Sequence, residues 1–245
     1  MPGVGNDIVD LKSVETVGKA RDRRFLEKVL TASEQHVMAA ARTGPDRLLW
    51  AFWAAKETAY KAMSQLHGAV SAAPRRYTFR IETDPESFQA GAEAKGHVQT
   101  PAGRVWIRLF HHADYLHCIG TTDPAPCLEG LTYDLAPVSR MNRQDVSPPA
   151  DPSMFVRRMA IEKIASLLGL PPDTLRIPRC KNARGPNPPT VHINDQPAPL
   201  PLSLSHHGRL AGYAVSMAAA AAGWTAPSAD EAFFSSIDHL RKNKL

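Results

Sequence analysis

The sequence predicts an α+β fold made of two similar lobes, and two observations indicate it. Each half of the chain has the pattern of a strand, a helix, loops and a closing strand. The two halves also close on similar segments, F-H-H-A-D-Y-L-H-C-I-G at residues 110–120 and S-H-H-G-R-L-A-G-Y-A-V-S at residues 205–216. A duplicated α+β unit explains both features. Two such lobes packed side by side would leave a cleft between them, where ligands often bind.

The first lobe opens on a predicted strand over residues 4–11, followed by two helices and four strands. Thr31 and Glu34 form a capping-box pattern at the start of the first helix, which we place at residues 31–42. Asp46 can cap a longer helix that carries apolar residues at helical spacing and ends near Gly68. The four strands that follow are predicted at residues 77–82, 96–99, 104–110 and 115–120.

The second lobe repeats this order with fewer elements. A strand at 130–135, a helix at 155–168 and a closing strand at 210–217 are separated by proline-rich stretches. We place the boundary near Pro126. The predicted divisions are a first lobe at 1–125, a second lobe at 126–222, and a C-terminal tail or peripheral helix at 223–245.

Composition excludes several classes of protein. The chain has 245 residues, 43% hydrophobic and 22% charged, so it can bury one large core or two modest ones. No apolar run approaches the ~20 residues of a membrane-spanning helix, and the first residues lack the pattern of a secretory signal. Cys118, Cys127 and Cys180 have no metal-binding or disulfide-framework spacing. We therefore expect a cytoplasmic protein with no membrane partner.

The net charge of +5 favours acidic partners. Basic residues are spread along the chain with few aromatic residues among them, which is a weak pattern for nucleic-acid binding. We therefore expect no nucleic-acid partner.

Asp7, Glu57 and Lys61 are the first candidates for chemistry. Asp7 lies on the opening strand, and Glu57 and Lys61 are four residues apart on the strongest predicted helix, so they share one face. One carboxylate from the strand and one from the helix could hold Mg²⁺, with water and substrate phosphates completing its octahedron. Spacing alone is more typical of an ordinary surface pair between Glu57 and Lys61, worth ~0.2–0.5 kcal/mol.

G-N-D-I-V-D-L at residues 5–11, followed by F-W-A-A-K-E-T-A-Y-K-A at residues 52–62, resembles the signature pair of the 4'-phosphopantetheinyl transferase superfamily. That pair is a G-x-D motif and a (W/F)-x-x-K-E-x-x-x-K motif. The resemblance implies that Asp7 and Glu57 hold Mg²⁺ on the pyrophosphate of coenzyme A. It implies that Glu57 and Lys61 are catalytic, Lys61 stabilising the leaving diphosphate. It also implies that each lobe is a small antiparallel sheet with packed helices.

The second lobe carries further motifs of the same family. R-G-P-N-P-P-T at residues 184–190 and P-L-S-L-S-H-H-G-R-L-A-G-Y-A-V at residues 201–215 resemble the G-K-P and S-H-S-G motifs of the two-lobed members. This resemblance implies that Ser205 and His206 bind coenzyme A. We add basic and loop residues as further candidates for binding coenzyme A: Arg158, Lys181, Arg184 and Gly185.

The sequence departs from the family pattern in several places. The lobes stand in permuted order relative to the two-lobed members. Val9 occupies the position of a third carboxylate, so the metal relies on Asp7, Glu57 and water, or Asp10 helps indirectly. The lysine of G-K-P is absent, and His207 replaces the serine that follows Ser-His.

The resemblance implies a Mg²⁺-dependent enzyme that transfers phosphopantetheine from coenzyme A to a serine of an acidic acyl or peptidyl carrier protein. A two-lobed chain is expected to work as a monomer. Two alternatives remain open at this point. One is a coenzyme A-binding partner or regulatory protein of the same fold with impaired catalysis. The other is a basic nucleic-acid-binding protein, which rests on the isoelectric point alone.

Overall fold

In the computed structural model, helices pack on small antiparallel sheets, and this confirms the predicted α+β class. The structure describes residues 1–41, 44–68, 70–82, 90–138, 151–178, 181–182 and 185–226. No helix in these ranges is both long and apolar enough to cross a membrane.

The described residues form five α-helices: α1 Arg23–Val29, α2 Ala32–Ala40, α3 Pro45–Leu66, α4 Pro152–Leu168 and α5 Ala218–Ala221. The capping box of α2 is present, because the Thr31 hydroxyl accepts from the Glu34 amide and the Glu34 carboxylate accepts from the Thr31 amide. α3 begins at Pro45 rather than after an Asp46 cap, since proline suits the first helical position. The Asp46 carboxylate instead accepts the backbone amides of Gly18 and Ala20, which precede α1. α1 was not predicted; Asp22 caps it.

The strands in chain order are β1 Val4–Asp10, β2 Thr78–Ile81, β3 Glu93–Thr100, β4 Gly103–His111, β5 Tyr115–Thr121, β6 Leu131–Pro137, β7 Leu175–Arg176, β8 Lys181–Asn182, β9 Gly185–Pro186, β10 His192–Ile193, β11 Gln196–Pro197, β12 Leu202–His207 and β13 Leu210–Ser216. The first lobe contains a five-stranded sheet in the order β1-β5-β4-β3-β2. The second contains a three-stranded sheet in the order β12-β13-β6, with small ladders β11-β10-β7 and β8-β9 beside it.

Helix α3 lies directly on β1 and β5, with the core of the first lobe between helix and sheet. The approach is very close at Gly5, where a Cβ atom would lie 2.0 Å from the Thr58 carbonyl oxygen. Any larger residue at Gly5 would therefore push α3 away from β1. α4 packs in the same way on β12 and β13, with Phe155 and Ile164 in the second core.

The two sheets share one construction. β1 pairs antiparallel with β5, and β6 pairs antiparallel with β13, each over seven residues. Asp7 is the fourth residue of β1 and lies opposite Cys118, the fourth of β5. Asp134 is the fourth residue of β6 and lies opposite Tyr213, the fourth of β13. This correspondence supports a duplicated unit. The chain changes sheets between β5 and β6, and the lobe boundaries at residues 125 and 222 stay a prediction.

A buried ion pair fixes α3 within the first lobe. The Lys56 ammonium donates to the Glu34 carboxylate at 2.6 Å and to the Val29 carbonyl at 2.7 Å, and both charged side chains are almost fully buried. The Glu34 carboxylate also accepts the backbone amide of Phe79 in β2. Burial lowers the pKa of Lys56, and the Glu34 charge opposes that shift. Lys56 is therefore a structural residue, although it stands beside Glu57 in the sequence motif.

We expect Lys56→Met to lower the free energy of unfolding by about 3–5 kcal/mol, because it leaves the Glu34 charge buried without a counterion. Lys95→Met is the matched control, since Lys95 forms exposed ion pairs with Glu93 and Glu129 and should lose at most about 1 kcal/mol. Chemical denaturation of the two variants measures the difference. Equal, small losses would show that the buried pair adds nothing beyond a surface pair.

Candidate active site

Strand β1 presents alternate residues to two different neighbours. A Cβ atom on Gly5 would meet α3, and Val9 is buried in the core beneath α3. Asn6 donates instead to the Gly212 carbonyl of β13, and Ile8 contacts Gly212. Because side chains alternate along a strand, the odd-numbered residues face α3 and the even-numbered residues face the second lobe.

The Lys61 ammonium joins the two lobes at the middle of β1. It lies 2.8 Å from Asp7 Oδ1, 2.9 Å from the Asn6 carbonyl oxygen and 3.3 Å from Ser205 Oγ on β12. The Ser205 hydroxyl also donates to Asp7 Oδ1, at 3.1 Å. The structure therefore brings together Asp7 and Lys61 of the first lobe and Ser205 of the second.

Glu57 stands one helical turn before Lys61 and has an unusual electrostatic environment. Burial, together with the negative charge of Asp7, raises the pKa of Glu57 to about 7, while the positive charge of Lys61 acts in the opposite direction. At neutral pH the Glu57 carboxyl group is thus divided between its charged and neutral forms. Such a group can accept or release a proton without a large free-energy change.

A cavity of about 240 Å³ opens beside this cluster, between the lobes. Tyr60, Lys61 and Gln65 of α3 form one side of it. Ser203 and Leu204 of β12 form another. The loop at 187–189, which follows β9, completes the lining. The predicted G-P-N-P loop and the predicted catalytic lysine therefore line the same cavity.

Two other predicted residues, His206 and Arg158, lie outside the Asp7 cluster. His206 lies opposite Ala211 in the ladder, on the face of β12 where α4 packs, whereas Ser205 lies opposite Gly212 on the face that meets β1. His206 is exposed. Arg158 is exposed on α4 and forms an ion pair with Glu162 at 2.8 Å.

Lys181 and Gly185 belong to the paired strands β8 and β9. Arg184 lies outside the described residues. The roles of Ser205, His206, Arg158, Lys181, Arg184 and Gly185 in binding coenzyme A stay predictions.

A buried hydrogen-bonded chain crosses from one sheet to the other, and the sequence analysis did not find it. His117 Nε2 lies 2.7 Å from Asn6 Oδ1, and Asn6 Nδ2 donates to the Gly212 carbonyl at 2.8 Å. Because the Asn6 amide nitrogen is used as a donor, Asn6 Oδ1 accepts and His117 carries its proton on Nε2. The position of Asn6 inside the G-N-D motif was the one available signal.

Asp10 and Arg209 form a second connection that the sequence analysis missed. Arg209 donates to both oxygens of the buried Asp10 carboxylate at 2.8 and 2.9 Å, and the Asp10 amide donates to His207 Nδ1 at 3.0 Å. The arginine hydrogen bonds hold the pKa of Asp10 well below its usual range. Gly208 has a φ of +55°, and a Cβ atom there would lie 2.5 Å from Asp10 Oδ2, so the turn requires glycine.

The described residues contain no group of three or more His, Cys, Asp or Glu side chains placed to hold a metal ion. The candidate metal ligands are therefore the two predicted carboxylates, Asp7 and Glu57. Lys61 and Ser205 both contact Oδ1 of Asp7, and no residue in the described ranges donates to Oδ2.

The fold agrees with a comparison against protein families. Residues 3–117 match the family model of the 4'-phosphopantetheinyl transferase superfamily. The resemblance inferred from the sequence is therefore confirmed over this part of the chain, which carries Asp7, Glu57 and Lys61. No curated protein matches the chain closely enough to count as a relative.

The buried His117 should make the fold sensitive to acid. Burial lowers the pKa of His117 from 6.5 to about 4, so below pH 6.5 the unfolded chain gains a proton that the folded chain does not. The stabilisation from neutral His117 is therefore complete above pH 6.5 and declines as the pH falls towards 4. Between pH 7.5 and pH 5 this contribution should fall by about 2 kcal/mol.

The His117→Gln side chain can still donate to Asn6 but does not titrate. Between pH 7.5 and pH 5, the free energy of unfolding of this variant should therefore fall by about 2 kcal/mol less than that of the wild type. Urea denaturation at both pH values measures the difference. The raised pKa of Glu57 changes stability with pH in the opposite direction, but this contribution is the same in both proteins and cancels in the comparison. The same pH dependence in both proteins would show that His117 titrates normally in the fold.

Proposed function

We propose that the protein transfers the 4'-phosphopantetheine group of coenzyme A to a serine hydroxyl of a carrier protein, releasing 3',5'-ADP. The observation that carries this proposal is the contact of Asp7 and Lys61 with Ser205, beside a cavity between the lobes. Two family motifs from distant parts of the chain meet there.

The donor set at this point suits Mg²⁺. Asp7 and Glu57 bring two carboxylates close enough for the Asp7 charge to raise the pKa of Glu57, and a divalent cation would relieve that repulsion. Mg²⁺ prefers oxygen ligands and accepts one or two carboxylates with substrate phosphates and water. When bound, it would neutralise charge on the pyrophosphate. Asp7 and Glu57 are the residues that would hold it.

In the proposed reaction, the serine oxygen forms a bond to the β-phosphorus of coenzyme A while the bond from that phosphorus to the oxygen of 3',5'-ADP breaks. Glu57 would accept the serine proton, either directly or through a water molecule that it orients. Lys61 would balance the negative charge that grows on the departing 3',5'-ADP. Its position at the wall of the 240 Å³ cavity supports this role.

The surface next to β1 fits an acidic acceptor protein. Val14 and Val17, in the loop after β1, are 90% and 69% exposed. Exposed basic side chains surround them in this loop and on α1: Lys12, Arg21, Arg23, Arg24 and Lys28. Glu15, Asp22 and Glu27 lie among these residues, and residues 12–28 keep a net charge of +3 from six basic and three acidic side chains. Net positive charge around exposed apolar residues attracts and orients a negatively charged partner. We propose this surface, residues 12–28, as the carrier docking surface.

Intact mass of an apo carrier protein tests the proposed reaction directly. Incubation with the protein, coenzyme A and Mg²⁺ should add about 340 Da, the phosphopantetheine group, and EDTA should prevent the gain. Asp7→Asn and Glu57→Gln should each reduce the rate at least about a hundredfold, because each removes a metal ligand or the proton acceptor.

Asp134→Asn is the matched control, since Asp134 occupies the position of Asp7 in the second sheet but lies away from the cluster. It should retain the wild-type rate. Wild-type rates in both Asp7→Asn and Glu57→Gln would refute the assignment of these carboxylates. Coenzyme A binding without transfer to fatty-acid, polyketide or peptide carriers would favour the non-catalytic alternative.

Charge reversal on the carrier docking surface should weaken carrier binding and leave the chemical step intact. We expect Arg24→Glu to raise the KM for the carrier about fivefold to tenfold at low salt, with kcat unchanged. Arg80→Glu is the control, because Arg80 is exposed on β2 at the sheet edge opposite β1. Steady-state kinetics at two salt concentrations measures both. An equal KM in the two variants would place the docking surface elsewhere.

A further inference from the structure

Strands β1 and β12 lie side by side, but no main-chain hydrogen bond joins them within the described residues. Side chains connect them instead. Gln65 of α3 is the first connection: its Oε1 accepts the Val4 amide at 3.0 Å, and its Nε2 donates to the Val4 carbonyl at 2.7 Å and to the Leu202 carbonyl of β12 at 2.9 Å.

Two more connections follow in the same order along both strands. The Ser205 hydroxyl donates to Asp7 directly, and Lys61 contacts both side chains. The Asp10 amide donates to His207 Nδ1. Since positions rise together on the two strands, β1 and β12 run in the same direction. The Gln65 connection stands at one end of this row and the Asp10 connection at the other, with the candidate active site between them.

We propose that Gln65 is a positioning residue for the transfer reaction. By connecting Val4 to Leu202, it fixes the separation of β1 and β12 three residues before Asp7 and Ser205 on the respective strands. This inference rests on the proposed function. Gln65 is not part of the sequence motifs that indicate the family; its role follows from its three hydrogen bonds.

Glutamine suits this place because its amide offers both an acceptor and two donor hydrogens. It satisfies the amide and the carbonyl of Val4, which is fully buried, and still has a donor for the second lobe. Gln65 also follows Glu57 and Lys61 at intervals of four, so all three lie on one face of α3. One rigid helix thus holds the proposed proton acceptor, the lysine and the connection between the lobes.

Gln65→Met tests the proposal, because methionine has a similar length but makes none of the three hydrogen bonds. We expect kcat to fall at least about tenfold, since small displacements of reacting groups reduce rates strongly, with the KM for coenzyme A changed less than about twofold. Gln65→Lys keeps donors for the Val4 and Leu202 carbonyls and should restore kcat to within about threefold of the wild type. Gln35→Met is the control, because Gln35 is a half-buried helical glutamine whose donor bond stays within the first lobe.

Hydrogen–deuterium exchange gives a readout that does not need activity. Gln65→Met should increase exchange in β1 and β12 at a temperature where the protein remains folded, and Gln35→Met should not. A folded Gln65→Met variant with wild-type kcat and unchanged exchange would overturn the positioning role while leaving the proposed function intact. A wild-type protein that transfers nothing would refute the proposed function. The exchange result would still show whether Gln65 holds β1 and β12 together, because it does not depend on activity.

Discussion

Strand β1 is the element on which both the fold and the candidate site depend. All seven of its residues are buried, and each side of the strand has a different partner. One edge pairs with β5, and at the other edge side chains of α3 and β12 bond to the backbone of Val4, Asn6 and Asp10. One face meets α3 and the other meets β13. A buried backbone must have every amide and carbonyl satisfied. The side chains that meet this requirement at the outer edge, Gln65 and Lys61, also bring the second lobe against the first.

The two lobes share one construction, but only the first has a cluster of this kind among the described residues. Asp134 has the same place in β6 that Asp7 has in β1. It is exposed, however, and accepts its hydrogen bond from the amide of Leu135. On the exposed face of α4, Arg158 forms an ion pair with Glu162, four residues later. The basic residue comes first in this pair, whereas the acidic residue comes first in Glu57 and Lys61. The second sheet therefore contributes Ser205 to the site of the first.

The sequence predicted the elements whose signals are local. The capping box of α2, the apolar spacing of α3 and the alternation in β4 each depend on neighbouring residues, and these elements form near the expected positions. α1 was missed because it is short and rich in charge. β12 was missed because its Leu-Ser alternation lies within a proline-rich stretch, although its period of two was a usable signal.

The site was predicted to a similar extent. Family motifs led to Asp7, Glu57, Lys61 and Ser205, and the structure brings Asp7, Lys61 and Ser205 into contact. The connections that Asn6 and Gln65 make to the second lobe could not be found in this way, because each ends on a main-chain carbonyl, that of Gly212 or Leu202, which carries no sequence signal.

The alternation of β1 also decides the question that Val9 raised. A carboxylate at position 9 would point to the same side as Asp7, and in this chain the core beneath α3 fills that space with an apolar side chain. Asp10 points to the opposite side, where Arg209 occupies both of its oxygens. Asp10 therefore cannot replace the missing carboxylate without giving up Arg209 as its partner, which would leave the buried Asp10 charge unpaired. Its contribution is indirect: it anchors the turn after β12, and so holds Ser205 against Asp7.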